Sequence, residues 1–180
     1  MQTAKVRNDK QTVWAIDPAH STIEFSVKNY FFFLLKGRLN EFAGRIVLDE
    51  ADTRAYSVEV AIQAASIDTG AKSRDTHLRS AFLETERYPH IRFQSTEIEP
   101  GRDRDTLRLT GLLTIKGKSR EVILDVDKVD YSRSPNGEEV RYYSTSTKLD
   151  RLDFGMGYRL GPIGRSVKVM INVQANRLDS

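Results

Sequence analysis

The 180-residue chain contains no cysteine. This excludes a disulfide framework and any thiolate-held metal. It leaves the compartment open, because many exported proteins also lack Cys. Histidine is scarce: His20, His77 and His90 are the only three, too scattered for a helical His-x-x-x-His zinc pair. No segment approaches the roughly twenty apolar residues of a membrane-spanning helix. The opening residues, MQTAKVRNDKQT, are polar and lack the apolar stretch of a secretory leader. As written the chain reads as cytoplasmic; with a leader already removed, a periplasmic or secreted protein would look the same. An excess of one charge is also missing. The formal balance is +3, from 28 basic and 25 acidic residues. Their signs interleave, as in LDRLD and GRDRD, the pattern of a solvated surface, so no nucleic-acid partner is expected.

Catalytic signatures are missing in the same way. GMGYRLG at residues 155–161 lacks the third glycine of a dinucleotide loop. GKSRE at Gly117 fails the nucleophile-elbow pattern at its last position. His20 and Ser21 are adjacent in an extended segment and point to opposite faces. Asp75 and His77 stand two apart on a helix and do not face each other. The expectation is a protein that is not an enzyme, with no catalytic cofactor and no metal.

What the chain does have is alternation. Ile23, Phe25 and Val27 share one face, and Thr22, Glu24, Ser26 and Lys28 the other, the period of a half-buried strand. The same period returns in Val58, Val60 and Ile62; in Ile91 and Phe93; and in Leu107, Leu109, Leu113 and Ile115 around Gly111. It closes in Val122, Leu124 and Val126, and in Val167, Val169, Ile171 and Val173. Asp17-Pro18, residues 99–105, Lys116-Gly117 and Ser134-Pro135-Asn136-Gly137 read as turns. Residues 37–49 read as a bent strand pair, turning at Asn40-Glu41 or Ala43-Gly44. The Thr- and Tyr-rich residues 140–148 read as an edge or shallowly covered strand. The length suits one domain, residues 13–180, behind a polar tail of residues 1–12. About eight strands joined mostly by hairpins, with no second helical layer, predict an all-β fold. Its form is a single up-and-down antiparallel β-barrel, lipocalin-like, closed to remove its edges. Such a barrel is just wide enough either to fill with side chains or to hold one ligand.

Two stretches break the alternation. In residues 66–95, Thr69-Gly70 reads as a turn and Ser73 as the cap of a short helix. Leu78, Ala81 and Phe82 give that helix an apolar stripe, with Arg74, Asp75, His77 and Arg79 around the remainder. Tyr88-Pro89 ends it. An all-β chain with one polar-topped helical flap is covering something. The second break is the apolar run at residues 30–35, which in extended form puts three side chains on each face. Lys28, Lys36 and Arg38 flank it as gatekeepers. A portal rim touching a membrane surface and a homodimer interface both suit this run.

These residues carry a resemblance. SIDTG, RD-x-HLRS, FL and YP-x-I-x-F-x-S, all within residues 66–95, are similar to the signature of the YceI-like family of polyisoprenoid-binding proteins. WAIDPAHSTIEFSVK resembles that family's opening strand pair, and GRLNEFAGRIVLD its next hairpin. LTGLLTIKGKSREVILDV resembles a later hairpin, and LGP at residues 160–162 precedes a final strand. The likeness runs in order from Trp14 to Val173. It implies a lipocalin-like barrel whose partner is an isoprenoid lipid or quinone, bound without turnover.

Energetics agree with an occupied barrel. An empty apolar cavity of roughly 300 Å³ costs about 7 kcal/mol, a typical domain's whole net stability. The candidate lining is Phe25, Val27, Phe31, Phe33, Leu35, Phe93 and Leu113, with Leu78 and Phe82 from the flap. Candidate head-group contacts are Asn29, Arg74 and His77. Arg74 and Asp75 equally suit pins that hold the helix to the barrel. Family sequences often have His where this chain has Asn29, which favours a neutral head group. The expected function is carriage or storage of a polyprenyl chain or quinone. The other reading is a filled-core interaction module that self-associates through residues 30–35.

Overall fold

Three of the barrel's walls are strands bent in the middle. The computed structural model describes residues 11–30, 32–158 and 161–178. β1 (Gln11–Ile16) and β2 (Thr22–Asn29) are the halves of the first wall, and β3 (Phe33–Leu39) and β4 (Phe42–Asp49) those of the second. β5 (Ser57–Gln63) and the short β6 (Ile67–Asp68) make the third. The others run unbroken: β7 (His90–Pro100), β8 (Thr106–Ile115), β9 (Lys118–Arg133), β10 (Glu139–Asp150) and β11 (Ile163–Leu178). Every neighbour is antiparallel. Both β1 and β2 pair back onto β11, closing eight walls into an up-and-down barrel.

The bend between β1 and β2 has a local cause. The Asp17 amide donates to the Gln174 carbonyl at 2.8 Å, and the Gln174 amide donates to the Ser21 hydroxyl at 3.0 Å. Both backbone groups of Gln174 are thus satisfied by the bend, so the ladder with β11 survives it. The Asp17 carboxylate holds the turn by accepting the Ala19 amide at 2.9 Å.

Two expectations change here. GRLNEFAGRIVLD is not a hairpin: β3 pairs with β2 and β6, while β4 pairs with β1 and β5, so the segment is one bent strand. Of the two readings for residues 140–148 the edge falls, since β10 is bonded to β9 on one side and β11 on the other, and the shallowly covered strand stands, with Val140 buried and the others half-buried or exposed. Closure leaves no edge for a polar strand to occupy.

The inward face follows from the pairing, because directly opposed residues point the same way. Ile23, Phe25 and Val27 stand against Ile171, Val169 and Val167. Phe42, Gly44 and Ile46 stand against Ile62, Val60 and Val58. One buried cluster, including Trp14, Ile46, Ile62, Ile91 and Phe154, occupies this face, and Ile98, Leu109 and Leu124 form a second, smaller one. At one end of the barrel lie the flap, the β2–β3 tip, the Lys116-Gly117 turn and residues 151–158. At the far end lie the β7–β8 and β9–β10 hairpins.

Candidate functional site

The flap begins as α1 (Lys72–His77) and continues through a wider turn, Leu78–Phe82, in which the Leu83 amide donates to the Leu78 carbonyl at 2.8 Å. This five-residue spacing corrects the predicted stripe: Leu78 and Leu83 are buried and Phe82 is half-buried, but Ala81 is exposed. Ser73 does not cap the helix. The residue ahead of α1 is Ala71, with no side-chain cap, and Ser73 is exposed inside the helix. The fastening comes from Asp75 instead. Its buried carboxylate accepts the Thr69 amide at 2.9 Å and the Thr69 hydroxyl. Those hydrogen bonds from Thr69, with Arg79 and Arg74 adding their charge, hold the Asp75 carboxyl below its ordinary value.

Arg74 completes the fastening, donating from Nε to the Thr69 hydroxyl at 2.7 Å and from Nη2 to the Thr69 carbonyl at 2.8 Å. Its guanidinium is engaged with the flap's own entry, and His77 is exposed. Neither joins the lining residues.

The other side of this end is built on Arg151, which is 2% exposed. Its guanidinium donates to the carbonyls of Gly164 (2.9 Å), Met156 (2.8 Å), Tyr158 (3.0 Å) and Ile163 (3.0 Å). It also lies 5.7 Å from the Phe82 ring. A Cβ on Gly157 would stand 2.5 Å from that ring, so the loop passes directly over Phe82. Lys116 ties the remaining corner, reaching the Gly155 carbonyl at 2.9 Å and the Glu84 carboxylate at 3.1 Å. Reading LDRLD as solvated charge missed Arg151. Nothing in the local sequence marks it, because its partners are carbonyls up to thirteen residues away.

Along the wall, Val27 opposes Leu35, both buried, and Phe25 opposes Gly37. A side chain on Gly37 would overlap the Phe25 ring, and one on Gly111 would meet Phe93 at 2.5 Å. The two glycines leave room for these rings against the barrel wall, so the aromatic area lies along the lumen rather than across it. Leu113 opposes Phe93 on the same face. Phe25, Phe93, Leu113, Val60, Val169 and Ile171 are only partly buried. Their strands are bonded on both edges, and their side chains share the inward face and pack against the two buried clusters.

The apolar run at residues 30–35 is not one extended strand. Tyr30 adopts a positive φ of 52° and turns the chain, Phe32 also lies in a turn, and β3 starts at Phe33. Phe32 is 91% exposed and Phe33 68%; Tyr30, Leu34 and, in the neighbouring loop, Tyr158 are also exposed. Phe31 lies outside the described residues. Asn29 opposes Phe33 at the end of β2, and its Oδ1 is buried with no hydrogen-bond partner among the described residues. Among the described residues, no group of three or more His, Asp or Glu side chains converges as metal ligands.

A closed eight-stranded barrel with an apolar inner wall and one helical flap defines a lipocalin-like protein. The chain belongs to the YceI-like family: the family model of the YceI-like domain matches residues 14–175. A UPF0312 protein of Pseudomonas aeruginosa is 33% identical over 159 residues, spanning 88% of this chain and 82% of its own. Protein YceI of Escherichia coli O157:H7 is 33% identical over 156 residues, 86% of this chain and 81% of that one. The solved YCEI protein of Campylobacter jejuni superposes with a TM-score of 0.72 at 27% identity, covering 81% of this chain and 86% of the other. A polyisoprenoid-binding domain from Saccharophagus degradans, implicated in plant cell wall breakdown, has a TM-score of 0.70 at 14% identity, covering 92% and 98%. At that identity the likeness is one of fold.

Proposed function

We propose that the barrel binds an isoprenoid lipid, a polyprenyl chain or prenylated quinone, and carries or stores it without chemical turnover. The observation that carries the proposal is the partly accessible apolar inner wall, with Phe25 and Phe93 laid over glycines beneath a fastened flap. The description of the Saccharophagus degradans domain supports the same ligand class. Each buried five-carbon unit contributes up to about 4 kcal/mol gross, so two or three outweigh the several kcal/mol lost in fixing the ligand. Shape and dryness suffice, and a range of prenyl lengths is accommodated.

The head group lies at the flap end beside Asn29. Arg74 is committed to Thr69, which leaves Asn29, whose buried Oδ1 has no partner among the described residues, as the polar contact. Rotating that amide presents either a donor to a quinone carbonyl or an acceptor to a prenol hydroxyl. A neutral head group therefore fits better than a diphosphate. The exposed tip around Phe32, flanked by Lys28 and Lys36, touches the membrane surface during loading. Organic extraction of the purified protein followed by mass spectrometry tests the proposal. A prenyl-chain species near one per barrel is expected; protein that neither releases lipid nor takes up added prenylquinone would overturn it.

A further inference from the structure

The end of the barrel farthest from the flap holds a pocket of about 210 Å³ with a floor that includes Leu48 and Leu107. Three cations line it: Arg104, Lys128 and Arg141. The one carboxylate in the lining, Asp103, accepts the Asp105 amide of its own hairpin at 2.9 Å. None of the three cations forms an ion pair among the described residues. Arg141 is the innermost. It opposes Ala175 on the inward face and lies 4.7 Å from the Trp14 ring and 5.6 Å from the Tyr131 ring. Its Nε is buried with no hydrogen-bond partner among the described residues.

A buried guanidinium N–H without an acceptor is an unfavourable state, and like charges gathered at one mouth add repulsion. An oxyanion relieves both, since Nε and one Nη form the fork that binds a carboxylate or phosphate through two hydrogen bonds. We propose that this far-end pocket binds an oxyanion, a carboxylate or phosphate group, through Arg141 with Arg104 and Lys128 at the rim. The Leu48 and Leu107 floor accepts a short apolar stem on the same molecule. The site is separate from the flap-end mouth and stands whether or not the lumen carries an isoprenoid.

Trp14 is the chain's single tryptophan and stacks on Arg141, so its emission reports occupancy. Delipidated full-length protein is titrated at low salt with decyl phosphate, decanoate, inorganic phosphate and uncharged 1-decanol. The expected result is a saturable emission change with decyl phosphate and decanoate, at least tenfold tighter than with 1-decanol and weakened by added salt. Arg104→Gln/Lys128→Gln, two exposed substitutions that leave the core intact, weakens it at least fivefold. Arg141→Gln abolishes the emission change while circular dichroism confirms the fold. An equal response to inorganic phosphate identifies a free anion as the occupant; a response only to stemmed anions identifies an amphiphile's head group. Binding of 1-decanol as tight as decyl phosphate, or a double variant with unchanged affinity, overturns the proposal.

Discussion

Arg151 and Asp75 are the two buried charges that hold the flap end together, and they do it in opposite ways. Among the described residues, Arg151 has four backbone carbonyls as hydrogen-bond partners and no carboxylate. Burial pulls its pKa down, with the nearby Asp150 charge opposing. Its rigid five-donor fork matches several fixed acceptors at once, which a lysine's compact ammonium cannot do. Asp75 instead collects donors at the entry of the flap, and hydrogen bonding from Thr69 makes it more acidic folded than unfolded. Its contribution is therefore complete above the ordinary value of 3.8 and is lost as the pH falls through the lower, folded value. Asp75→Asn should cost about 1–3 kcal/mol wherever the parent carboxylate is ionised, mildly acidic pH included. Pepsin cleavage within residues 66–83 measures the effect. The excess cleavage of the variant over the parent should shrink as the pH drops below that range, and a ratio independent of pH would remove Asp75 from this role.

Between strands, the pairing of Phe25 with Gly37 decides where an aromatic ring goes. A strand glycine normally weakens its strand, yet here it gives the opposing ring a place against the wall. Gly37→Val forces Phe25 off the wall and into the lumen. Overpacking of this kind costs about 1–3 kcal/mol, which a thermal melt resolves. The sharper readout is lipid. Gly37→Val should retain several-fold less extractable lipid, and Phe25→Ala added to it should restore capacity by freeing the lumen. Unchanged lipid in the single variant would mean that this ring does not border the ligand. The flap is legible in sequence only in part. The helical excursion, its apolar side and its end at Tyr88-Pro89 all stand. The stripe moved, because the wide turn at Leu78–Phe82 replaces the three- and four-residue spacing with five, and in place of a Ser73 cap the entry is fastened by Asp75.

For the molecule as a whole, the two ends of the barrel are unlike. The flap end presents exposed Tyr30, Phe32, Phe33 and Leu34, with Lys28 and Lys36 beside them; the far end presents the cationic pocket. One buried Phe is worth about 1.5–3 kcal/mol. Phe32→Asp should therefore reduce co-sedimentation with phosphatidylglycerol-containing vesicles about tenfold or more. Light scattering on the same samples separates the two readings of the tip. A fall from dimer to monomer with vesicle binding unchanged would make the tip a self-association surface instead.

The all-β class, the number of walls, the turns at residues 99–105, 116–117 and 134–137 and the inward set from Ile23 to Val173 were legible in the chain alone. A period of two assigns each residue to a face using only its neighbours in the chain. It also located the flap. It took the folded barrel to show that β3 and β4 are one bent strand, that β10 is interior, that the chain turns at Tyr30, and that Arg151 is buried. The first three depend on which distant segment supplies the hydrogen-bond partner, whereas Arg151 is buried by the carbonyls of its own β10–β11 connection. Local composition carries no record of a carbonyl that closure of the barrel brings alongside.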